Sequence, residues 1–104
     1  MQQSFEEVAD AVRNTFVQHY PQVKAAYIFG SFADGSHTEK SDVDVMVELD
    51  APMGFDFFGM IDDVEKAIAT PVDLITVLQA KELENKYEYD IFGKAKMIYE
   101  RKSE

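Results

Sequence analysis

The stretch Ile28–Leu49, IFGSFADGSHTEKSDVDVMVEL, decides how this chain folds. An apolar run stops at Gly30-Ser31, a polar segment follows, and from Ser41 a second run alternates. Successive side chains of a strand point to opposite faces, so Val43, Val45, Val47 and Leu49 share one face while Asp42, Asp44, Met46 and Glu48 share the other. The pattern predicts a half-buried strand with its acids outward. Burying an unpaired carboxylate is costly, so two aspartates within an apolar strand call for a compensating partner.

On the N-terminal side, Ser4 and Glu7 match a capping box, and Phe5, Val8, Val12, Phe16 and Tyr20 recur at helical spacing. That predicts a helix ending near Pro21, then a short strand from Ala25 to Phe29 stopped by Gly30. On the C-terminal side, Pro52 and Gly54 mark a loop. Phe57, Ile61, Val64 and Ile68 then predict a second amphipathic helix. Pro71 opens a strand from Val72 to Leu78, with Asp73 and Ile75 on one face and Val72, Leu74 and Thr76 on the other. A last helix is expected from Lys81 to about Phe92, with Leu83, Tyr87 and Ile91 inward. Gly93 breaks it before a closing edge strand, Ala95 to Tyr99. Helices alternating with strands predict an α/β (α+β) fold on one small sheet, with residues 1–104 forming a single domain.

Composition narrows the function classes. An apolar fraction of 46% and an aromatic fraction of 12% exclude a disordered acidic tail despite a net charge of −10. The ten Lys and Arg residues are scattered, which argues against direct nucleic-acid binding and fits a basic protein partner better. Without Cys, disulfides and thiolate metal sites are excluded. No charged start precedes a long apolar run, so neither a signal peptide nor a membrane span is expected, and the expected location is cytoplasmic.

Asp42 and Asp44 project from one strand face with Cβ atoms roughly 6 to 7 Å apart. If the strand carrying Asp73 lies alongside, a third carboxylate converges there. Each pair of like charges at about 4 Å repels by roughly 4 kcal/mol at an effective dielectric near 20. A divalent cation that prefers oxygen ligands, magnesium or manganese, is the natural counter-charge. A calcium loop fits worse, because Val43, Val45 and Val47 make this segment a strand. The bland alternative is a solvated Asp pair on a wet edge. Gly30-Ser31 shifts the balance, since a glycine that ends a buried strand lets backbone N–H groups approach an anion closely. Residues 32–41 then separate Ser31 from Asp42.

The stretch GSFADGSHTEKSDVDVMVEL closely resembles the motif of the DNA polymerase β-like nucleotidyltransferase superfamily, in which Gly-Ser is followed after about ten residues by Asp-x-Asp and later by a third Asp on a neighbouring strand. With GFDFFGMIDDVEKAI, PVDLITV and MIYE following, the layout resembles the minimal nucleotidyltransferases (MNT) that act as antitoxins beside HEPN ribonuclease toxins. The resemblance implies a polymerase β palm-like fold, a small mixed sheet flanked by helices. It implies that Gly30, Ser31 and Ser41 bind the ATP substrate and that Asp42, Asp44 and Asp73 are catalytic ligands of two Mg²⁺ ions, with Mn²⁺ possible. It also implies transfer of AMP to a tyrosine of a HEPN toxin in a hetero-oligomer.

Asp34 departs from that pattern, since many relatives carry a basic residue there. So does the acidic stretch with Glu82, Glu84, Glu88 and Asp90, which either weakens nucleotide binding or meets a basic toxin. His37, in the loop, reads as solvated. Two other readings stand beside the enzyme: a catalytically silent antitoxin that masks its toxin by binding, and a small-molecule nucleotidyltransferase, for which the chain leaves little room. Phe57 reads as core, whereas Phe55 and Phe58 fall off the apolar stripe and could anchor a partner or a second copy.

Overall fold

The chain is described from a computed structural model, over residues 4–38, 40–87 and 90–102. Its first helix, α1 (Phe5–His19), starts where the sequence predicts. Ser4 Oγ accepts from the Glu7 N–H at 3.1 Å, and the Glu7 carboxylate accepts from the Ser4 N–H at 3.3 Å. These two bonds satisfy donors that no helix can pair internally. Strand β1 (Val23–Phe29) follows and begins two residues before the predicted start. The segment after Gly30, expected as loop, instead opens with a short helix, α2 (Ser31–Asp34), because Phe32 and Ala33 are apolar enough to be buried.

Next come β2 (Val43–Leu49), α3 (Asp56–Ile68) and β3 (Val72–Thr76). Helix α4 (Val77–Tyr87) starts directly after β3, four residues earlier than predicted, and ends earlier. Thr76 and Gln79 explain the early start. Thr76 Oγ1 accepts from the Gln79 N–H at 3.1 Å and Gln79 Oε1 accepts from the Thr76 N–H at 2.9 Å, a reciprocal cap. Tyr87, predicted inward, is exposed. Strand β4 (Lys96–Glu100) closes the sheet, one residue later than predicted.

The strands lie in the order β3-β2-β1-β4. β1 pairs antiparallel with both β2 and β4, whereas β2 and β3 run parallel, joined by the crossover helix α3. On one sheet face Val43, Val45 and Val47 meet Val8, Val12 and Phe16 of α1 and Met60, Val64 and Ile68 of α3. The other face, expected to be wet, carries a second cluster in which Met46 is fully buried against Ala80 of α4 and Ile91. Burying a methionine contributes about 2 kcal/mol, and Asp44 and Glu48 lie partly buried beside it on this face. Among the described residues no helix is long and apolar enough to cross a membrane.

Candidate active site

Strand β1 ends at Phe29, which pairs with Asp44, and the chain then turns at Gly30 with φ +69°. That backbone conformation favours glycine, and the neighbourhood requires one: a Cβ on Gly30 would collide with the Asp44 carboxylate. The sequence motif is therefore one object in space, its glycine pressed onto the second aspartate of the pair. The Gly30 carbonyl accepts from the N–H groups of Ala33 and Asp34 at 3.1 and 3.2 Å, which closes α2 and leaves Ser31 half-exposed beside the turn.

The loop from α2 to β2 is organised by its own polar side chains. Asp34 Oδ1 accepts from the Ser36 hydroxyl at 2.6 Å and the Ser36 N–H at 2.9 Å. Those bonds, with smaller contributions from Lys94 and His37, hold its carboxyl below the usual range. Asp34 thus acts as a turn former. His37 is not solvated: its ring stacks on Phe32 at 3.9 Å between centroids. Ser41 Oγ accepts from the Thr38 N–H at 2.9 Å, and the Ser41 N–H donates to the Thr38 carbonyl at 3.1 Å, so this serine shapes the loop just before the acids.

Asp44 of β2 and Asp73 of β3 are register partners on adjacent parallel strands, about 4.8 Å apart along the hydrogen-bonding direction. Asp42 precedes β2 and is exposed. The Asp44 carboxyl is pushed up to about 6, first by burial and then by the charges of Asp73 and Asp42. None of these three carboxylates has a hydrogen bond or ion pair among the described residues. The register brings Asp44 and Asp73 together as the sequence reading expects. Convergence of all three is not seen, since among the described residues no three His, Cys, Asp or Glu side chains are grouped closely enough to hold a metal ion. Mutual repulsion opposes a closer approach.

One positioning residue escaped the sequence reading. Glu65 of α3 accepts from the Val72 N–H at 2.9 Å, while the Val43 N–H donates to the Pro71 carbonyl at 3.0 Å. Together these bonds pin the start of β3, one residue before Asp73, to both α3 and β2. Glu65 adjoins the apolar stripe of its helix, and no local pattern marks it.

Asp44 and Asp73 offer hard carboxylate oxygens of the kind a magnesium-like cation takes, the first half-buried and carrying like-charge strain.

The mixed four-stranded sheet flanked by helices is a nucleotidyltransferase fold. The chain belongs to the family described as "Polymerase beta, Nucleotidyltransferase", whose model matches residues 12–104. Two Methanocaldococcus jannaschii proteins, each described as "Putative protein adenylyltransferase", are similar to it. One is 41% identical over 69 residues, covering 64% of this chain and 66% of that protein. The other is 45% identical over 56 residues, covering 53% of this chain and 65% of that protein. The matches thus span about two thirds of either relative's length.

Among solved structures, a toxin–antitoxin with AMP-PNP is similar with a TM-score of 0.69 at 15% identity, over 89% of this chain and 73% of that one. The tri-AMPylated Shewanella oneidensis HEPN toxin in complex with MNT antitoxin gives a TM-score of 0.69 at 14% identity, over 93% and 73%. At these identities the likeness is one of fold.

Proposed function

We propose that the chain transfers AMP from ATP to a tyrosine hydroxyl of a partner HEPN ribonuclease, and so acts as its antitoxin. The observation that carries this reading is the Gly30 turn packed onto Asp44 with Asp73 in register beside it, in a chain of the nucleotidyltransferase family. The putative adenylyltransferase relatives and the toxin–antitoxin neighbours support the choice of acceptor class.

Asp44 and Asp73, joined by Asp42 on closer approach, would hold the divalent cations, which when bound would supply charge neutralisation at the phosphates. Gly30, lacking a side chain, lets the triphosphate approach the backbone, and the Ser31 hydroxyl, free of partners among the described residues, donates to a phosphate oxygen. The tyrosine oxygen attacks the α-phosphorus. A new P–O bond forms, the bond bridging the α- and β-phosphates breaks, and pyrophosphate leaves. Asp73, exposed at the strand edge, receives the phenolic proton. Glu65 keeps β3 in place while this happens.

Incubating the chain and its HEPN partner with α-labelled ATP and Mg²⁺ tests the reading. Label should accumulate on the partner and be absent with Asp42→Ala/Asp44→Ala. Neutralisation of the partner by that double variant as strongly as by wild type, with no label moved, would establish masking by binding instead. The net charge of −10 suits masking of a basic surface, which is why that arm is needed.

A further inference from the structure

Between the Gly30 turn and the paired acids, the His37 ring lies on the Phe32 ring, 3.9 Å between centroids and within 9° of parallel. Phe32 is 5% exposed and belongs to the core cluster that also holds Val43, the residue between the two aspartates. Stacking on a buried ring ties the middle of a polar segment to the core, whereas a solvated histidine would leave that segment held only by its neighbours.

The tie is passed on to Asp42. Ahead of His37, the Ser36 N–H and hydroxyl both donate to Asp34. Behind it, the Thr38 N–H donates to Ser41 Oγ at 2.9 Å and the Lys40 N–H to Thr38 Oγ1 at 3.2 Å. Each of these bonds spans three residues or fewer, so they stiffen the segment without placing it against the rest of the molecule. The ring stack does the placing. Ser41 adjoins Asp42 on one side; on the other, the Val43 N–H donates to the Pro71 carbonyl at 3.0 Å. The Asp42 backbone is therefore held between two anchors, the core through His37 and Phe32, and the start of β3 through Val43.

We propose that the Phe32–His37 stack sets how closely Asp42 comes to the Asp44–Asp73 pair, which makes His37 a positioning residue that serves the site without touching substrate. This rests on the reading of the three acids as cation ligands. Asp42 is exposed and has no hydrogen bond or ion pair among the described residues, so only its backbone fixes where its carboxylate stands. A misplacement of about 1 Å at a working group costs on the order of a hundredfold in rate.

His37→Ala and His37→Gln remove the ring, while His37→Phe keeps a flat ring and removes the nitrogens; circular dichroism checks the fold of each. Calorimetry with Mn²⁺ reads cation uptake, and labelled ATP with the HEPN partner reads transfer. The Ala and Gln variants should bind Mn²⁺ about fivefold more weakly, the worth of one aromatic pair expressed as a ratio, with a lowered kcat, whereas His37→Phe matches wild type. In an Asp42→Asn background His37→Ala should change Mn²⁺ affinity by less than about twofold, because the two changes act through one carboxylate. Wild-type Mn²⁺ affinity in His37→Ala overturns the proposal. So does a Phe variant as weak as the Ala variant, which would assign the role to the imidazole nitrogens, and so does an undiminished loss in the Asp42→Asn background, which would mean a general effect on the fold. Mn²⁺ uptake that follows the ring while no label reaches the HEPN partner overturns the transferase reading and keeps the stack. A wild-type chain that takes up no Mn²⁺ overturns both.

Discussion

At Asp44 burial and function oppose each other. Its carboxyl is pushed up to about 6 by burial and by the neighbouring acids, above its unfolded value of 3.8. Between those values the folded chain binds more protons than the unfolded one, so stability falls as pH rises. The benefit is complete below about pH 4 and lost once pH has passed about 6. Asp44→Asn should remove this penalty. After allowance for solvent screening the gain is about 1 kcal/mol at pH 7, a rise of about 5 °C in Tm, with little difference from wild type at pH 4. Thermal melts across pH 4 to 8 check this, and an Asn variant no more stable at pH 7 would contradict it. The same variant should be inactive, a trade of stability for function at a single side chain. The candidate acids were legible because Val43, Val45 and Val47 fix which way their neighbours point. The need for glycine at position 30 was only half legible: its place after a strand suggests a turn, but the Asp44 oxygen against it is a tertiary fact.

Among the elements, the start of α1 was the most readable feature. The Ser4–Glu7 box requires only local geometry, and it forms as the spacing predicts. Ser4→Ala should therefore cost about 1 kcal/mol of stability, measured by urea unfolding with an unchanged m-value. The start of α4 was less readable. Helix α4 begins at Val77 because Thr76 and Gln79 cap it, although Val77 and Leu78 look like a continuing strand. After α4 the chain is held from a distance. Glu84 Oε2 accepts from the N–H groups of Ile91 and Phe92 at 2.6 and 2.8 Å, and Asp90 accepts from the Gly93 N–H at 3.0 Å. Two acids that the sequence suggests as part of a partner-facing surface thus satisfy backbone donors instead, while Glu88 lies outside the described residues.

Over the whole molecule, a net charge of −10 on 104 residues makes the folded chain repel itself. Of the described acids, Asp10, Asp62 and Asp50 pair with Arg13, Lys66 and Arg101. Such exposed pairs contribute little. Raising salt from about 0.01 M to about 1 M shortens the screening length from about 30 to about 3 Å, so Tm should rise by a few degrees rather than fall, as differential scanning calorimetry would show. A fall would mean that the ion pairs outweigh the repulsion.

The sequence by itself determined the periodicities, and with them the alternation of helix and strand, the paired acids on one strand face and the apolar stripes of α1 and α3, because each depends only on the fixed geometry of neighbouring residues. The tertiary structure alone decided that Asp73 lies in register with Asp44, that Glu65 pins the strand holding it, that α4 covers Met46, and that Phe58 and Leu78 line one cleft. Those facts join residues far apart in the chain, where no local spacing constrains which side chains meet.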